Sequence, residues 1–506
     1  MYSSPMMIVY GEELMLDKVI EKTNEYIQNM PKQIRKKYGQ FFTSKETAVF
    51  MAKMFSVPKK EEVYVLDPGA GTGILACALI EEIQAKRTIS VVHLTCYEND
   101  SEVLELLRQN LALIKAEAEI KINVNLIEEN YILSQEEDFN DKSDGIKRQQ
   151  YDMIIGNPPY MKLTKDADEV KCMTEVCYGA PNMYFLFATM SLFNLMDESE
   201  MVYIIPRSWT SGAYFKKFRQ YLFEHGVLAQ VHLFVSRDKV FDNESVLQET
   251  MIVKIVKMSK KPKNVLITSS FSNEDYKELK QLSVPYSLVV SGQEKYVYLV
   301  TNEEELRVLE KVNRLSGTLE SVGAKMKTGL VVEHRHMELL RSTETQGAVP
   351  LIYAQHINRG FVEFPIQKEN EYVMSDRSGL IQENCNYLMV KRFTSKEEKR
   401  RLQSGIYLAR KCGQYSYIST QNKVNFITGI SESLSECMVF GLYVVFNSTI
   451  YDVYYRILNG STQVNSTEIN TIPMPDKDII QSMGRKLMKD RDFSEEACNT
   501  ILEGYL

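Results

Sequence analysis

The chain has 506 residues, 44% of them apolar and 25% charged, enough for two or three packed cores. Its formal net charge of −7 excludes a uniformly basic nucleic-acid coat but leaves room for local basic patches. The eight cysteines (Cys77, Cys96, Cys172, Cys177, Cys385, Cys412, Cys437, Cys498) form no CxxC pair and no metal-ligand spacing. This pattern argues against a disulfide scaffold or a zinc module, and predicts reduced thiols and no metal site. From Met1 to Leu16 no basic segment precedes an apolar stretch, and no apolar run reaches membrane-spanning length. The expectation is a cytoplasmic protein with no membrane attachment.

Leu16, Val19, Ile20, Thr23, Ile27 and Met30 recur at helical spacing and predict a helix that covers a core. From about residue 61, apolar strand-like runs at 62–67, 90–98, 122–127, 151–156, 201–206, 228–234 and 250–257 alternate with helical patterns at 74–85, 102–116, 183–196 and 213–225. That alternation predicts an α/β fold, a seven-stranded parallel sheet covered by helices. A ligand is then expected at the carboxyl ends of the early strands. The acid-rich stretch 134–144 reads as a solvated insertion. Alternation stops near the basic, proline-containing run 259–263, and the pattern from 322 to 475 has short strands and many turns. The expected organisation is a catalytic domain over 1–260, a connecting region over 261–319, a C-terminal α+β domain over 320–475, and a helical tail over 476–506.

Two turns carry the chemistry. After the first strand comes Asp67-Pro68-Gly69-Ala70-Gly71-Thr72-Gly73. Its glycines let a ligand approach the backbone, and the helix that follows offers free N–H groups to a carboxylate. Asp67 can accept a bond from an ammonium group or order the loop. Glu98, closing the second strand, can take both hydroxyls of a ribose. No lysine follows the glycines and the GxGxxG spacing is absent, so a phosphate-gripping loop is disfavoured. S-adenosylmethionine, with a ribose, an amino-acid end and no pyrophosphate, fits better; a structural tight turn or another nucleotide site stays open on this turn alone. After the fourth strand comes Asn157-Pro158-Pro159-Tyr160. An exocyclic ring amine is a poor nucleophile because its lone pair is delocalised. The Asn157 side-chain oxygen and the Pro158 carbonyl can accept its hydrogens and stabilise the charge that develops, while both prolines stiffen the turn. Tyr160 can stack on a base drawn out of a duplex.

These residues resemble the motifs of the gamma class of DNA adenine-N6 methyltransferases. The resemblance implies a seven-stranded S-adenosylmethionine-dependent methyltransferase sheet followed by a C-terminal α+β target-recognition domain. It also implies methyl transfer from S-adenosylmethionine to the N6 amine of a flipped adenine in double-stranded DNA. Gly39-Gln40-Phe41-Phe42-Thr43 is similar to the first cofactor motif, with Thr43 touching the cofactor and Ser44 in place of the usual proline. Asp67, Pro68, Gly69 and Gly71 match the second, and Glu98 the ribose-binding acid. Asn130-Tyr131 stands where the family commonly has Asp-Phe against the cofactor's adenine. Asn157, Pro158, Pro159 and Tyr160 match the catalytic motif in full, with Asn157 beside the cofactor as well. Asn182–Phe187 and Ile205–Trp209 resemble later motifs. Phe241 is the candidate for a second aromatic beside the flipped base, or equally a core residue.

The C-terminal half is similar to type II modification methylases, particularly the PstI/BsuBI group, in the stretches 391–401 and 459–465. Lys391, Arg392, Lys396, Lys399, Arg400, Arg401, Arg410 and Lys411 gather against only Glu397 and Glu398, a concentration suited to phosphate contact or to a solvated helix. Of these, Lys391, Arg392, Lys396, Lys399, Arg400 and Arg401 are the candidate DNA contacts. Gln463 and Asn465 can read adenine edges, or cap the turn that Asn459-Gly460 opens. His334 and His336 lack a third ligand and read as surface residues. Competing readings are a protein-glutamine N5 methyltransferase, a cytosine-N4 enzyme, an RNA guanine methyltransferase, and a non-catalytic DNA-binding or specificity protein on the same fold. A cognate restriction endonuclease, if one exists, is expected to be encoded separately; otherwise the protein is an orphan modifier.

Overall fold

The computed structural model describes residues 14–29, 42–141, 149–179, 181–234, 250–257, 260–271, 276, 278–394, 398–459 and 463–506. The chain divides into two compact units, one of Met1–Trp209, Tyr214–Val289 and Gln293–Lys295, the other of Thr210–Ala213, Val290–Gly292 and Tyr296–Leu506.

In the first unit the strands, among the described residues, are β1 (Glu62–Asp67), β2 (Val91–Tyr97), β3 (Lys121–Ile127), β4 (Tyr151–Gly156), β5 (Leu195–Pro206), β6 (Val227–Phe234), β7 (Thr250–Val256), β8 (Asn264–Ser270) and β9 (Lys280–Pro285). They form one sheet in the order β3-β2-β1-β4-β5-β7-β6-β8-β9. β1 pairs in parallel with β2 on one side and β4 on the other. The strand order reverses at that point, which opens a crevice beyond the carboxyl ends of β1 and β4. The turns following Asp67 and Gly156 therefore leave the sheet side by side.

The sheet has nine strands where seven were expected. The additional two come from the stretch read as a connector: β8 pairs in parallel with β6, and β9 closes the edge antiparallel to β8. The physical reason is that β8 carries only the short apolar run Val265–Ile267 before Thr268, Ser269 and Ser270, which are polar yet buried, so composition understates its burial.

Helices α1 (Met15–Asn29), α2 (Lys45–Lys53), α3 (Ile74–Lys86) and α4 (Ser101–Glu117) supply much of the core that includes Leu16, Val19, Met51, Leu79, Ile83 and Leu107. Each such side chain, taken fully out of water, contributes about 1.5–3 kcal/mol. Ser44 caps α2 through a hydroxyl that accepts from the Thr47 amide at 3.3 Å. A short helix, α5 (Asp168–Cys172), precedes α6 (Met183–Asn194), which is buried almost all round, and α7 (Lys216–His225) follows β5.

In the second unit the described strands make a six-stranded, a five-stranded and a two-stranded sheet. Among its described helices are α8 (Glu436–Asn447), α9 (Thr449–Leu458), α10 (Lys477–Asp490) and α11 (Glu495–Glu503). α8 and α10 meet through glycines. A Cβ at Gly441 would lie 1.9 Å from the Ile480 oxygen, and one at Gly484 would lie 1.8 Å from that of Cys437. The segment expected as a tail is thus part of this unit's packing. No single helix among the described residues is long and apolar enough to cross a membrane.

Candidate active site and nucleic-acid surface

A cavity of about 450 Å³ lies at the carboxyl ends of the central strands, within the range that holds small ligands. Both sequence-predicted turns reach it. Pro68, Gly69 and Gly71 line it from β1, Glu98 from β2, Asn130 and Tyr131 from β3, Asn157 and Pro159 from β4, and Thr43 from the segment before α2. Asp67, Pro158 and Tyr160 do not line it. Asp67 lies buried below its own turn, and Tyr160 is only 8% exposed.

Gly71 has φ +54° and nothing within 4 Å of where a Cβ would stand. It adopts a backbone conformation that side-chain-bearing residues resist, beside open space. Its amide donates to Glu98 Oε2 at 2.9 Å, while the amides of Asn99 and Asp100 donate to Oε1, each at 2.9 Å. Burial raises the Glu98 pKa, and these amides oppose the rise. The carboxylate is held rigid, with acceptor capacity remaining on Oε2, which suits a ribose hydroxyl. Asp67 is pushed up to about 8, first by burial and then by Glu98. The nearby amides of Ala76 and Gly69 counter this in part, yet neither carboxyl oxygen makes a hydrogen bond within ordinary geometry. A glycine cradle, a fixed hydroxyl acceptor and an orphaned buried acid together fit a nucleoside that carries an amino-acid tail. Tyr97, Tyr131 and Phe187 add aromatic walls. The rings of Tyr97 and Tyr131 lie 5.0 Å apart, and those of Tyr131 and Phe187 5.5 Å apart.

Asn157 is oriented from both ends of its amide. Nδ2 donates to Thr43 Oγ1 at 3.1 Å, and Oδ1 accepts from the Tyr160 hydroxyl at 2.9 Å. That hydroxyl also lies 2.9 Å from the Ile204 carbonyl oxygen in β5. Burial, then Tyr184, holds the Tyr160 phenol well above its usual range, so it stays a donor.

Asn130 lines the cavity, but its side-chain oxygen is engaged by its own turn. Its Oδ1 accepts from the amides of Ile132 and Leu133, at 3.0 and 3.2 Å. Both lone pairs are spent on the local turn, so the oxygen is not available for a ligand amine. Its Nδ2 donates to Glu169 Oε1 at 2.8 Å. Glu169, Met161 and Leu163 also line the cavity. They come from the stretch between Tyr160 and α6, which has neither periodicity nor motif to announce them. Phe241 and the stretch Gly39–Phe41 lie outside the described residues.

In the second unit the basic stretch is divided by burial. Arg401 is 0% exposed. Its guanidinium donates to the Thr394 carbonyl and, at 3.5 Å, to Asn459 Oδ1. Arg400 pairs with Glu495 at 2.8 Å and donates to the carbonyls of Phe446 and Ser448. Both were expected at phosphates; both instead spend donors on partners within the fold. Lys399 is 89% exposed and lies 3.9 Å from Glu495, and Lys391 is half-buried. Lys396 lies outside the described residues. Arg392 donates to the Asn422 carbonyl at 3.0 Å and to Gln463 Oε1 at 3.3 Å. A bridge between Phe393 and Gln463 joins the two stretches singled out in this half of the sequence. Asn465 donates through Nδ2 to Glu468 at 3.1 Å.

Known proteins place the chain. Residues 80–241 match the family described as Eco57I restriction-modification methylase. Over 463 residues the chain is 33% identical to the type II methyltransferase M.BsuBI of Bacillus subtilis, covering 89% of this chain and 90% of that protein. It is 30% identical over 491 residues to the type II methyltransferase M.PstI of Providencia stuartii, covering 95% and 94%. Among solved structures, the type IIL restriction-modification enzyme MmeI in complex with DNA superposes with a TM-score of 0.50 at 12% identity, over 94% of this chain and 69% of that one, a likeness of fold. The chain belongs to the type II DNA methyltransferases of restriction–modification systems, and S-adenosylmethionine is its methyl donor.

Proposed function

We propose that the methyl acceptor is the N6 amine of adenine, flipped out of double-stranded DNA into the space beside Asn157. The observation that carries this reading is the double anchoring of the Asn157 amide at the wall of the cofactor cavity. Anchored so, the oxygen faces neither free rotation nor a flip that would present a donor to the amine. S-adenosylmethionine supplies an electrophilic methyl on a sulfonium. The amine nitrogen attacks that carbon, the carbon–sulfur bond breaks, and the amine then releases one proton to solvent. Asn157 Oδ1 and the Pro158 carbonyl accept hydrogen bonds from the amine as positive charge grows, which is the form of stabilisation that lowers such a barrier.

Among the described residues no cysteine lines the cavity, which favours an amine acceptor over a ring carbon, whose methylation calls for a covalent thiol adduct. Asparagine at position 157, where cytosine-N4 enzymes usually have serine, favours adenine among amines. Tyr160 orients Asn157 and stacks on the extruded base once its covered ring gains an open face; Phe241 is the proposed second aromatic. Thr43, Asp67, Pro68, Gly69, Gly71, Glu98 and Tyr131 form the proposed cofactor site. DNA is held through Lys391, Arg392, Lys396 and Lys399, with Gln463 and Asn465 near the base edges. The modification protects DNA from a separately encoded endonuclease or stands alone.

Single-molecule sequencing of DNA from cells with and without the gene tests the proposal. N6-methyladenine at one recurrent sequence, present only with the gene, is the expected result. N4-methylcytosine there instead would transfer the reading to the cytosine-amine class.

A further inference from the structure

The sheet order dictates how the cofactor lies. Passing along the carboxyl edge, the chain presents the Asn157 turn from β4, the glycine turn from β1, Glu98 from β2 and Asn130 from β3. The reactive end must face Asn157 and the ribose must meet Glu98. The adenine therefore falls at the end of β3, beside Tyr97 and Tyr131 and near Asn130.

An adenine there presents an exocyclic amine, which needs an acceptor. The oxygen of Asn130 is already saturated by the amides of Ile132 and Leu133. Its amide nitrogen, however, points to Glu169 in α5 and donates to Oε1 at 2.8 Å. Glu169 Oε2 has no partner among the described residues, and the residue lines the cavity. Glu129 also lines it, but no hydrogen bond among the described residues fixes its side chain.

We propose that Glu169 is the cofactor's adenine-recognition residue. Its Oε2 accepts the 6-amino group while Asn130 Nδ2 anchors Oε1 and fixes the orientation. The acceptor comes from the segment after the catalytic turn, so cofactor selection and that segment's position are coupled. The inference rests on the cofactor occupying this cavity and is independent of which base in DNA is methylated.

The test compares S-adenosylhomocysteine with its 6-oxo (hypoxanthine) analogue by calorimetry on the full chain, wild type and Glu169→Gln. In the wild type the carboxylate repels the 6-oxo group, so the adenine ligand binds more tightly. In Glu169→Gln, Asn130 Nδ2 demands an oxygen, which turns the new NH₂ toward the ligand. S-adenosylhomocysteine should then weaken about ten- to hundredfold, the scale of a lost charge-assisted bond, while the analogue holds or gains, so that the preference collapses or inverts. Equal affinities of the wild type for both ligands would overturn the proposal. So would an unchanged preference in the variant, or an equal loss of both ligands. A circular-dichroism melt that matches wild type shows the variant to be folded.

Discussion

Removing one oxygen, in Tyr160→Phe, separates the two duties of the catalytic turn. The hydroxyl lies 2.9 Å from both Asn157 Oδ1 and the Ile204 carbonyl. It has one proton to share between them, so its loss removes about 1 kcal/mol of net hydrogen bonding. It also takes one hydrogen bond from the half-buried Asn157 oxygen and one from the Ile204 carbonyl, bringing the cost to about 1–3 kcal/mol. At about 2–4 °C per kcal/mol for a unit of this size, the melting temperature should fall by about 2–12 °C. The Asn157 amide keeps its other tether, Nδ2 to Thr43, so its orientation loosens without being lost. Methyl transfer should slow about tenfold, a barrier rise of about 1.4 kcal/mol. Cofactor affinity should stay within about twofold, because Tyr160 is not part of the cavity wall. Single-turnover transfer of labelled methyl at saturating cofactor measures the rate, and calorimetry the affinity. The reasoning fails if stability drops as calculated while the rate is unchanged, or if cofactor affinity falls in step with the rate.

Other perturbations probe other parts. Asp67 has a folded pKa of about 8 against 3.8 for the free side chain. Between those values the unfolded chain loses its proton first, so stability falls as pH rises from about 4 to 8, by at most about 1.4 kcal/mol per pH unit. Denaturant melts of the cofactor-free protein at pH 5 and pH 8.5 should therefore show Asp67→Asn gaining on wild type at the higher pH; parallel behaviour would remove the carboxyl from this account. Arg401→Ala deletes a buried guanidinium and should cost about 2–4 kcal/mol through lost bonds and a cavity, visible as a lower midpoint. Lys399→Ala should leave the midpoint within about 0.5 kcal/mol yet reduce the slope of log affinity for DNA against log salt by about one. A reversal of that pair, with Arg401 changing only the salt slope, would return Arg401 to the DNA surface.

The early strands were legible in sequence because β1 and β4 are continuous apolar runs, buried on both faces and separated by helical patterns. Both turns stood out because only glycine or proline meets their backbone demands. Other features were hidden for reasons of physics. β9, Lys280–Pro285, is a polar edge strand with little burial to mark it. α8 is buried nearly all round and includes the run Tyr443–Phe446, so it shows no amphipathic stripe and has a strand-like composition. The charge run at 391–401 gave a count without directions: Arg401 finds Asn459, and Arg400 finds Glu495, contacts that no local pattern contains. Glu169 likewise acquires meaning only when Asn130, 39 residues earlier, is brought beside it.

The central claim is that Asn157 promotes methyl transfer to an adenine amine without being needed to hold the cofactor. Purified wild type and Asn157→Ala, incubated with unmethylated DNA and S-adenosylmethionine and followed by nucleoside mass spectrometry, address it most directly. The account predicts N6-methyladenine from wild type and about a hundred- to thousandfold less from the variant, with cofactor affinity retained. Methylated cytosine as the product, or N6-methyladenine formed at near wild-type rate by the variant, would contradict it.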